Sequence, residues 1–591
     1  MLRDKDRILI PPLLTTVSFL ILFIFRSWDD NRLASWHWVF EHADAVRVFV
    51  ALIIGCGLIT LLAWLFWWRR PPGSPLPFSQ EMTADLRSPA AMMVDRLSPF
   101  VIFIVYFLCG IFFWRMPEVN IDASRYFTQA KHLELFGVRY FLSEWGREIH
   151  AWTDMPLIPF FYGVIFKFFG ESRHYAQLFT TSLFALTGVL TFKTGQALWD
   201  EETGIYGAAF LLCIPYLFTQ TPLMLVDVPV MFLLLLAIFT VIRALRCGHV
   251  WIAVASLSIF FTFLSKYSAW LMLSVLPVIV CVFALRSEEP EKKTFLIRAV
   301  LTFSSSLVIM GLFILVDYDV IREQIKLLMT YQKPALKRWD ESFLSTFLFQ
   351  AHPFLTVFAF VSIYVAFMRR DWKYLIIFWL VLLVIVFQIR RIRYIMMVFP
   401  LFSLMASYGL RSVKGIQTRV ITITCALMSS LILAVTAYLP FLQDLSAVNL
   451  KKAGEFLDTC SSSRIEVHVI QPVQPTGSLL VAVPIMDIFT RKTLIVDERS
   501  AAWQNAAESG LSPLRFTWEF KNPSYYRTTE TSTNVDTVAV ISDTADSQLP
   551  SYLIAHLSGF QLVKSFDEYE GIFSFRTSVR IYEKRGDERG L

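Results

Sequence analysis

The sequence predicts a polytopic α-helical membrane protein of about 13 transmembrane helices that ends in an α/β domain, and three observations predict it. Apolar runs near the ~20 residues needed to cross a bilayer recur from Ile8 to Leu439. Of the 591 residues, 55% are hydrophobic and only 17% charged, against about 25% charged in an average globular chain. From Phe441 onward the long runs stop and short alternating segments replace them. A soluble enzyme is excluded. Lysine and arginine number 54 against 48 acids, a surplus that fits cation-biased inside loops and gives no support to a nucleic-acid partner. The seven cysteines fall mostly in or beside apolar runs, with no paired spacing that suggests zinc or a disulfide framework, so neither redox chemistry nor a structural metal is expected.

The elements follow in order. Ile8 to Phe25 reads as a retained first span, because no small-x-small cleavage site follows it. Val48 to Trp68 is the second, closed by Arg69-Arg70, and a Pro/Ser-rich stretch containing Arg87 and Arg96 links it to Pro99. Residues 1–98 are therefore expected to form a hairpin and a cytoplasmic linker. The core is expected over 99–440, with a polar, aromatic external loop at 117–176. Within that loop Pro156 to Gly170 is apolar but short, and it is expected to be an interfacial or re-entrant helix.

Further spans are expected at Gln177 to Leu198, Ile205 to Thr221 and Val228 to Leu245. The run from Val250 to Leu285 is too long for one span and breaks at Ser265-Lys266-Tyr267. Phe295 to Val316, Phe343 to Met368, Tyr374 to Gln388, Tyr394 to Leu410 and Ile421 to Leu439 complete the set. This count places Arg243, Arg246, Arg369, Arg370, Arg411 and Lys414 inside. Residues 441–591 are expected outside the cytoplasm as an α/β domain, with strands at 465–470, 493–496, 537–541 and 579–582 and helices at 451–460 and 552–557.

Charges that break the inside bias carry the functional signal. Asp122, Arg125, Lys131, Asp154, Asp227, Lys266, Lys333, Lys337, Arg338, Arg390, Arg391 and Arg393 are all placed at the outer ends of spans. A charge at bilayer depth costs on the order of 3 kcal/mol, so such residues face a cavity or a polar ligand. Asp122 is either a general base or the cap of a helix over 123–135. Asp227 is either a second acidic site residue or a cap before Pro229. Lys266 either serves a site or snorkels. Three outer arginines suit a bidentate grip on phosphate, unless a span is miscounted.

Asp122 with Tyr126, Asp154-Met155-Pro156-Leu157 opening a short helix, Leu225-Val226-Asp227-Val228-Pro229, Phe263-Leu264-Ser265-Lys266-Tyr267, and Arg393-Tyr394 followed by Pro400 come in an order that resembles the GT-C superfamily of membrane glycosyltransferases. Within it, the chain is most similar to the branch of protein O-mannosyltransferases and the lipid A aminoarabinose transferase. The resemblance implies an inverting glycosyltransferase of the cytoplasmic membrane, with its site on the outer face. It would move a sugar from a polyprenyl-phosphate donor to an external acceptor, whether glycan, lipid or protein.

On that resemblance Asp122 and Asp227 are catalytic, Arg393, Lys266 and Arg125 bind the donor phosphate, and Asp154, Tyr126 and Tyr394 bind substrate. A divalent metal ion between Asp122 and Asp227 is the cofactor left open. The chain departs from the family in having Asp122-Ala123 for Asp-Glu and Asp154-Met155-Pro156-Leu157 for Lys-Pro-Pro-Leu, so the usual phosphate lysine is missing. The alternatives are a flippase for a lipid-linked saccharide and a non-catalytic envelope assembly protein of the same fold.

Overall fold

The computed structural model describes residues 9–68, 89–119, 121–333, 341–443, 447–471, 478–497, 515–527, 535–568 and 577–585. Arg69, Arg70, Arg87, Lys337 and Arg338 lie outside them. Among the described residues, seven helices are long and apolar enough to cross a membrane, from Ala45–Leu62 to Ile416–Gln443. Shorter apolar helices stand among them at Ile10–Ile24, Ser98–Ile111, Leu157–Phe169, Val250–Phe263, Pro353–Arg369 and Tyr374–Val386. Burial sorts them into inner and outer positions. The apolar window of Ile392–Leu410 is 94% buried, whereas that of Glu291–Val316 is 17% buried and turns Val300, Leu307, Val308 and Leu312 outward, which lipid would solvate and water would not.

Prolines move several expected boundaries. The helix expected to start at Pro99 begins at Pro89 and runs through Pro99, so the linker ends earlier than anticipated. The span expected at 205–221 is two helices, Glu201–Leu212 and Pro215–Gln220, because Pro215 lacks the N–H to continue the first and suits the opening turn of the second. The span expected at 343–368 is divided likewise into a wide turn at Ser345–Phe349 and a helix at Pro353–Arg369. The break within 250–285 falls where expected, between Val250–Phe263 and Tyr267–Met272.

The loop after the first helix is pinned to the core from its own residues. Asp29 accepts hydrogen bonds from Trp36 N at 2.7 Å, Ser345 Oγ at 2.5 Å and Gln350 Nε2 at 2.8 Å, and Trp36 Nε1 donates to Tyr438 OH at 3.0 Å. Arg411, expected inside, gathers with Arg286 and Arg298 at one end of the bundle, tied to its turns. Arg298 Nη1 donates to Leu245 O at 2.7 Å, Arg286 pairs with Asp371 at 3.3 Å, and Arg411 pairs with Asp200.

The short helix Leu157–Phe169 begins and ends at the opposite end. Leu157 N donates to Leu264 O at 3.3 Å, next to Lys266, and Glu171, just past its last turn, pairs with Lys131 at 3.0 Å. It packs along helix Asp122–Glu144, where Gly163 permits the approach: a Cβ there would stand 2.6 Å from Leu133 Cβ and 2.8 Å from Ala130 O.

The C-terminal domain is the expected α/β unit. Its five-stranded sheet comprises β1 (Arg464–Val469), β2 (Thr493–Val496), β3 (Thr537–Ser542), β4 (Phe560–Phe566) and β5 (Ser578–Lys584), in the order β2-β1-β3-β5-β4. β1 is parallel to β2 and β3, while β5 runs antiparallel to β3 and β4. Helices Val448–Leu457 and Ala482–Asp487 pack on the face that bears Ile465 and Val467. The domain rests on the bundle end that carries the short helix, through Lys131 to Asp487 at 2.6 Å and the Arg173 guanidinium 4.9 Å from the Phe489 ring centre.

These contacts predict a labelling pattern. With exposed Cys247 and Cys281 changed to Ser, single cysteines at Glu148 and His174, which flank the short helix and are exposed, should react with an impermeant maleimide from one side of the membrane. A cysteine at Lys414 should react only from the other. Labelling of positions 174 and 414 from the same side would refute the arrangement.

Candidate active site

Two helix starts, a break between helices and a short turn bring the charges together. Asp122 is the first residue of helix Asp122–Glu144, Asp227 is the first of Asp227–Cys247, and neither position shows a side-chain cap. Among the described residues, the hydrogen bonds of both carboxylates run to cations of other elements. Acids in a first turn are favoured by the helix dipole, but here both reach across to cations from other elements. Lys266 occupies the extended residue between two helices, with φ −167°, and Arg393 lies in the short turn Ile392–Ile395.

Arg393 is the centre. Its Nη1 donates to Asp122 Oδ2 at 2.5 Å and its Nε to Asp227 Oδ2 at 2.6 Å. Lys266 Nζ takes the other oxygen of Asp227 at 2.6 Å. Arg125 Nη2 lies 3.5 Å from Asp122 Oδ1 and donates to Asp154 Oδ1 at 3.1 Å. Acid and base thus alternate along one string, Asp154, Arg125, Asp122, Arg393, Asp227 and Lys266. Asp227 is 3% exposed and Arg393 7%, so the charges are tolerable only as a set. Tyr126 OH donates to Asp154 Oδ1 at 3.4 Å. The Tyr394 ring lies 5.0 Å from Lys266 Nζ and 5.5 Å from the Arg391 guanidinium, within cation–π reach.

The remaining outer cations divide. Arg390 donates to Gln388 Oε1 at 3.1 Å on the surface, Lys131 belongs to the domain contact with Asp487, and Lys333 is exposed. Of the three neighbouring arginines, Arg393 is bonded to both Asp122 and Asp227 of the string.

Sequence reasoning missed several supports. Gln129 Nε2 donates to Asp154 Oδ2 at 3.3 Å and to His150 O at 3.0 Å; its place four residues after Arg125, on the same helix face, was the available signal. Glu118 pairs with Arg173 at 2.9 Å and accepts from Met224 N at 3.4 Å, which steadies the turn before Asp227. Phe516, from the C-terminal domain, lies 4.4 Å from the Arg125 guanidinium and 6.5 Å from the Trp152 ring. Nothing in the local sequence marks Phe516.

The loop carboxylates are driven apart in acidity. Burial would raise the Asp122 carboxyl, but the Arg393 and Arg125 guanidiniums outweigh it and hold the group well below the usual carboxylate range. At Asp154 burial wins against Arg125 and raises the group. Two carboxylates pushed in opposite directions suit different roles. Asp122 and Asp227 do not converge on an ion site: Arg393 stands between them and takes an oxygen of each, so the pair fits a guanidinium rather than a divalent metal.

Comparison with known proteins bears on this architecture. Residues 151–316 match the family model described as dolichyl-phosphate-mannose-protein mannosyltransferase, a segment that includes Asp154, Asp227 and Lys266. No curated protein matches the chain by sequence. The crystal structure of ArnT from Cupriavidus metallidurans bound to undecaprenyl phosphate superposes with a TM-score of 0.50 at 13% identity, covering 82% of this chain and 98% of that one. The chain has the GT-C fold. The apo form of ArnT gives the same TM-score at 12% identity, covering 84% and 98%. The archaeal oligosaccharyltransferase AglB from Archaeoglobus fulgidus, in complex with an inhibitory peptide and a dolichol-phosphate, gives 0.45 at 11% identity over 76% of this chain and 70% of its own.

Removing the central cation leaves two buried acids facing each other. Arg393→Ala should cost about 3–5 kcal/mol, the range for breaking a buried pair, read as a lower thermal midpoint in detergent. Adding Asp227→Asn should recover part of that loss, because the second change removes one stranded charge. Strict additivity of the two changes would show that Arg393 and Asp227 do not interact.

Proposed function

We propose that the chain is a glycosyltransferase that moves a sugar from a polyprenyl-phosphate donor to an acceptor outside the cytoplasm, with inversion at the anomeric carbon. The observation that carries the reading is the alternating string centred on Arg393, which gathers three cations at one bundle end under a folded domain. Its setting in the GT-C fold, shared with a protein that binds undecaprenyl phosphate, supports a lipid phosphate as the ligand. The cation-rich turns at the other end support an outward-facing site in the cytoplasmic membrane.

A phosphodiester donor brings one negative charge, which rises to two as the bond from C1 of the sugar to the phosphate oxygen breaks. Arg393 and Lys266 are placed to meet that growing charge, and preorganised cations in a water-poor site lower the barrier most. Of the five N–H donors on a guanidinium, those on Nε and Nη1 of Arg393 face the aspartates, and the rest supply the grip that the missing lysine of the family motif would give. As phosphate draws on Arg393 the hold on Asp122 weakens, and its carboxylate becomes the stronger base. Asp122 then takes the proton of the acceptor hydroxyl or amine while that atom attacks C1 from the face opposite the phosphate. The electron pair of the broken bond leaves with the lipid phosphate. Asp154, with Tyr126 and Gln129, orients Arg125 and the acceptor side, and Tyr394 holds Lys266. The chain's own cations supply the charge that a divalent ion would otherwise bring.

The test follows a labelled sugar from its polyprenyl phosphate onto envelope acceptors in reconstituted membranes. Asp122→Asn should lower turnover by about 10²- to 10⁴-fold, the usual worth of a general base, while donor affinity is largely kept. Arg393→Ala should lose donor affinity by an amount matching about 1.5–3 kcal/mol, and Arg393→Lys should fall between it and wild type, since lysine restores charge without two-point geometry. Movement of intact lipid-linked sugar across the bilayer without transfer would replace this reading with a flippase.

A further inference from the structure

The C-terminal sheet carries a second cluster of ligand-type side chains, away from the charged string. Glu466 and His468 are two apart on β1 and so point to one face, the face that pairs with Val538 and Val540 of β3. His556 reaches them from the last turn of helix Ser551–His556, which packs over that face through Leu553. Glu466 Oε1 lies 3.0 Å from His468 Nε2, and Oε2 lies 3.0 Å from His556 Nε2. One ligand atom from each of the three residues lies within 4.8 Å of the others. Donors about 2.0–2.1 Å from a tetrahedral zinc stand about 3.3 Å from one another; the two 3.0 Å approaches to Glu466 fall near that value, and closing the set on one ion asks the histidine nitrogens, now within 4.8 Å, to draw together.

A further observation points to a ligand rather than to ordinary surface pairing. The His468 side chain is fully buried, and its far nitrogen, Nδ1, makes no hydrogen bond of good geometry although Asp497 Oδ2 is 3.3 Å away. A carboxylate behind the distal nitrogen of a histidine is the arrangement that fixes ring orientation in metal sites. His556 is partly exposed, which leaves a way in from solvent.

We propose that Glu466, His468 and His556 bind one zinc-class divalent ion, with Asp497 orienting His468. Two imidazoles and one carboxylate are a zinc ligand set with a coordination position left for water. The ion ties β1 to the end of helix Ser551–His556 and so clamps the helix to the sheet. No cysteine takes part, which is why cysteine spacing carries no trace of the site.

The test uses the full chain in detergent, stripped with chelator and titrated with zinc chloride and, in parallel, cobalt chloride. One zinc per chain should bind, cobalt should give the visible absorption of a low-coordinate nitrogen and oxygen site, and zinc should raise the thermal midpoint. His556→Ala and Glu466→Gln should each weaken binding by at least tenfold. Asp497→Asn, which removes no ligand, should weaken it by about 10- to 100-fold. His37→Ala, which removes an exposed histidine paired with Glu41, and the Cys247→Ser/Cys281→Ser chain should bind as wild type does. Failure of the stripped wild-type chain to bind zinc below millimolar concentration, or equal weakening by His556→Ala and His37→Ala, would overturn the proposal.

Discussion

Arg393 held between Asp122 and Asp227 is the constraint on which the rest of the structure depends. A buried guanidinium with two buried carboxylates is stable only when each charge has its partner at hydrogen-bond distance. The three residues come from points in the chain separated by more than a hundred residues each, so the helices that carry them must meet at one bundle end. The break that places Lys266, the Glu118–Arg173 pair beneath the turn before Asp227, and the helix that starts at Asp122 all satisfy that demand. On the proposed function, a phosphate entering this set would not bring charge into an apolar place; it would exchange one anionic partner of Arg393 for another.

The C-terminal domain completes the enclosure. Phe516 lies over Arg125, and Lys131 ties helix Asp122–Glu144 to Asp487, which also accepts from Tyr526 OH at 2.6 Å. The helix that bears Asp122 and Arg125 is therefore held from above by the domain and from the side by the short helix Leu157–Phe169. Displacement of the domain would be felt at Asp122 through that helix, a direct mechanical route from the sheet to the charged string.

The apolar runs made the membrane class legible, and the break at Lys266 and the charges that meet at one bundle end were legible because they violate a strong bias. Charges at the outer ends of apolar runs are costly, so their persistence marks a purpose, and Asp122, Asp227, Lys266 and Arg393 do meet. Sequence alone left caps and ligands equivalent at Asp122 and Asp227, since both uses favour an acid at a helix start; only the position of Arg393 separates them. Helix boundaries at Pro215 and Pro353 were missed where proline opens a helix inside an apolar run that hydropathy reads as continuous, and the one at Pro89 because the helix starts within the polar, Pro/Ser-rich stretch before the apolar run. Strand β4 was missed because Phe560–Phe566 is a largely exposed edge without the burial that produces clear alternation. Phe516 left no trace, because a residue that acts from a different domain carries no local pattern.

The most direct test of the central claim is a structure of the chain with polyprenyl phosphate bound. The account predicts the phosphate within hydrogen-bond distance of both Arg393 and Lys266, with the contact from Arg393 to Asp122 lengthened relative to 2.5 Å. A phosphate bound elsewhere, with the string from Asp154 to Lys266 unchanged, would contradict it.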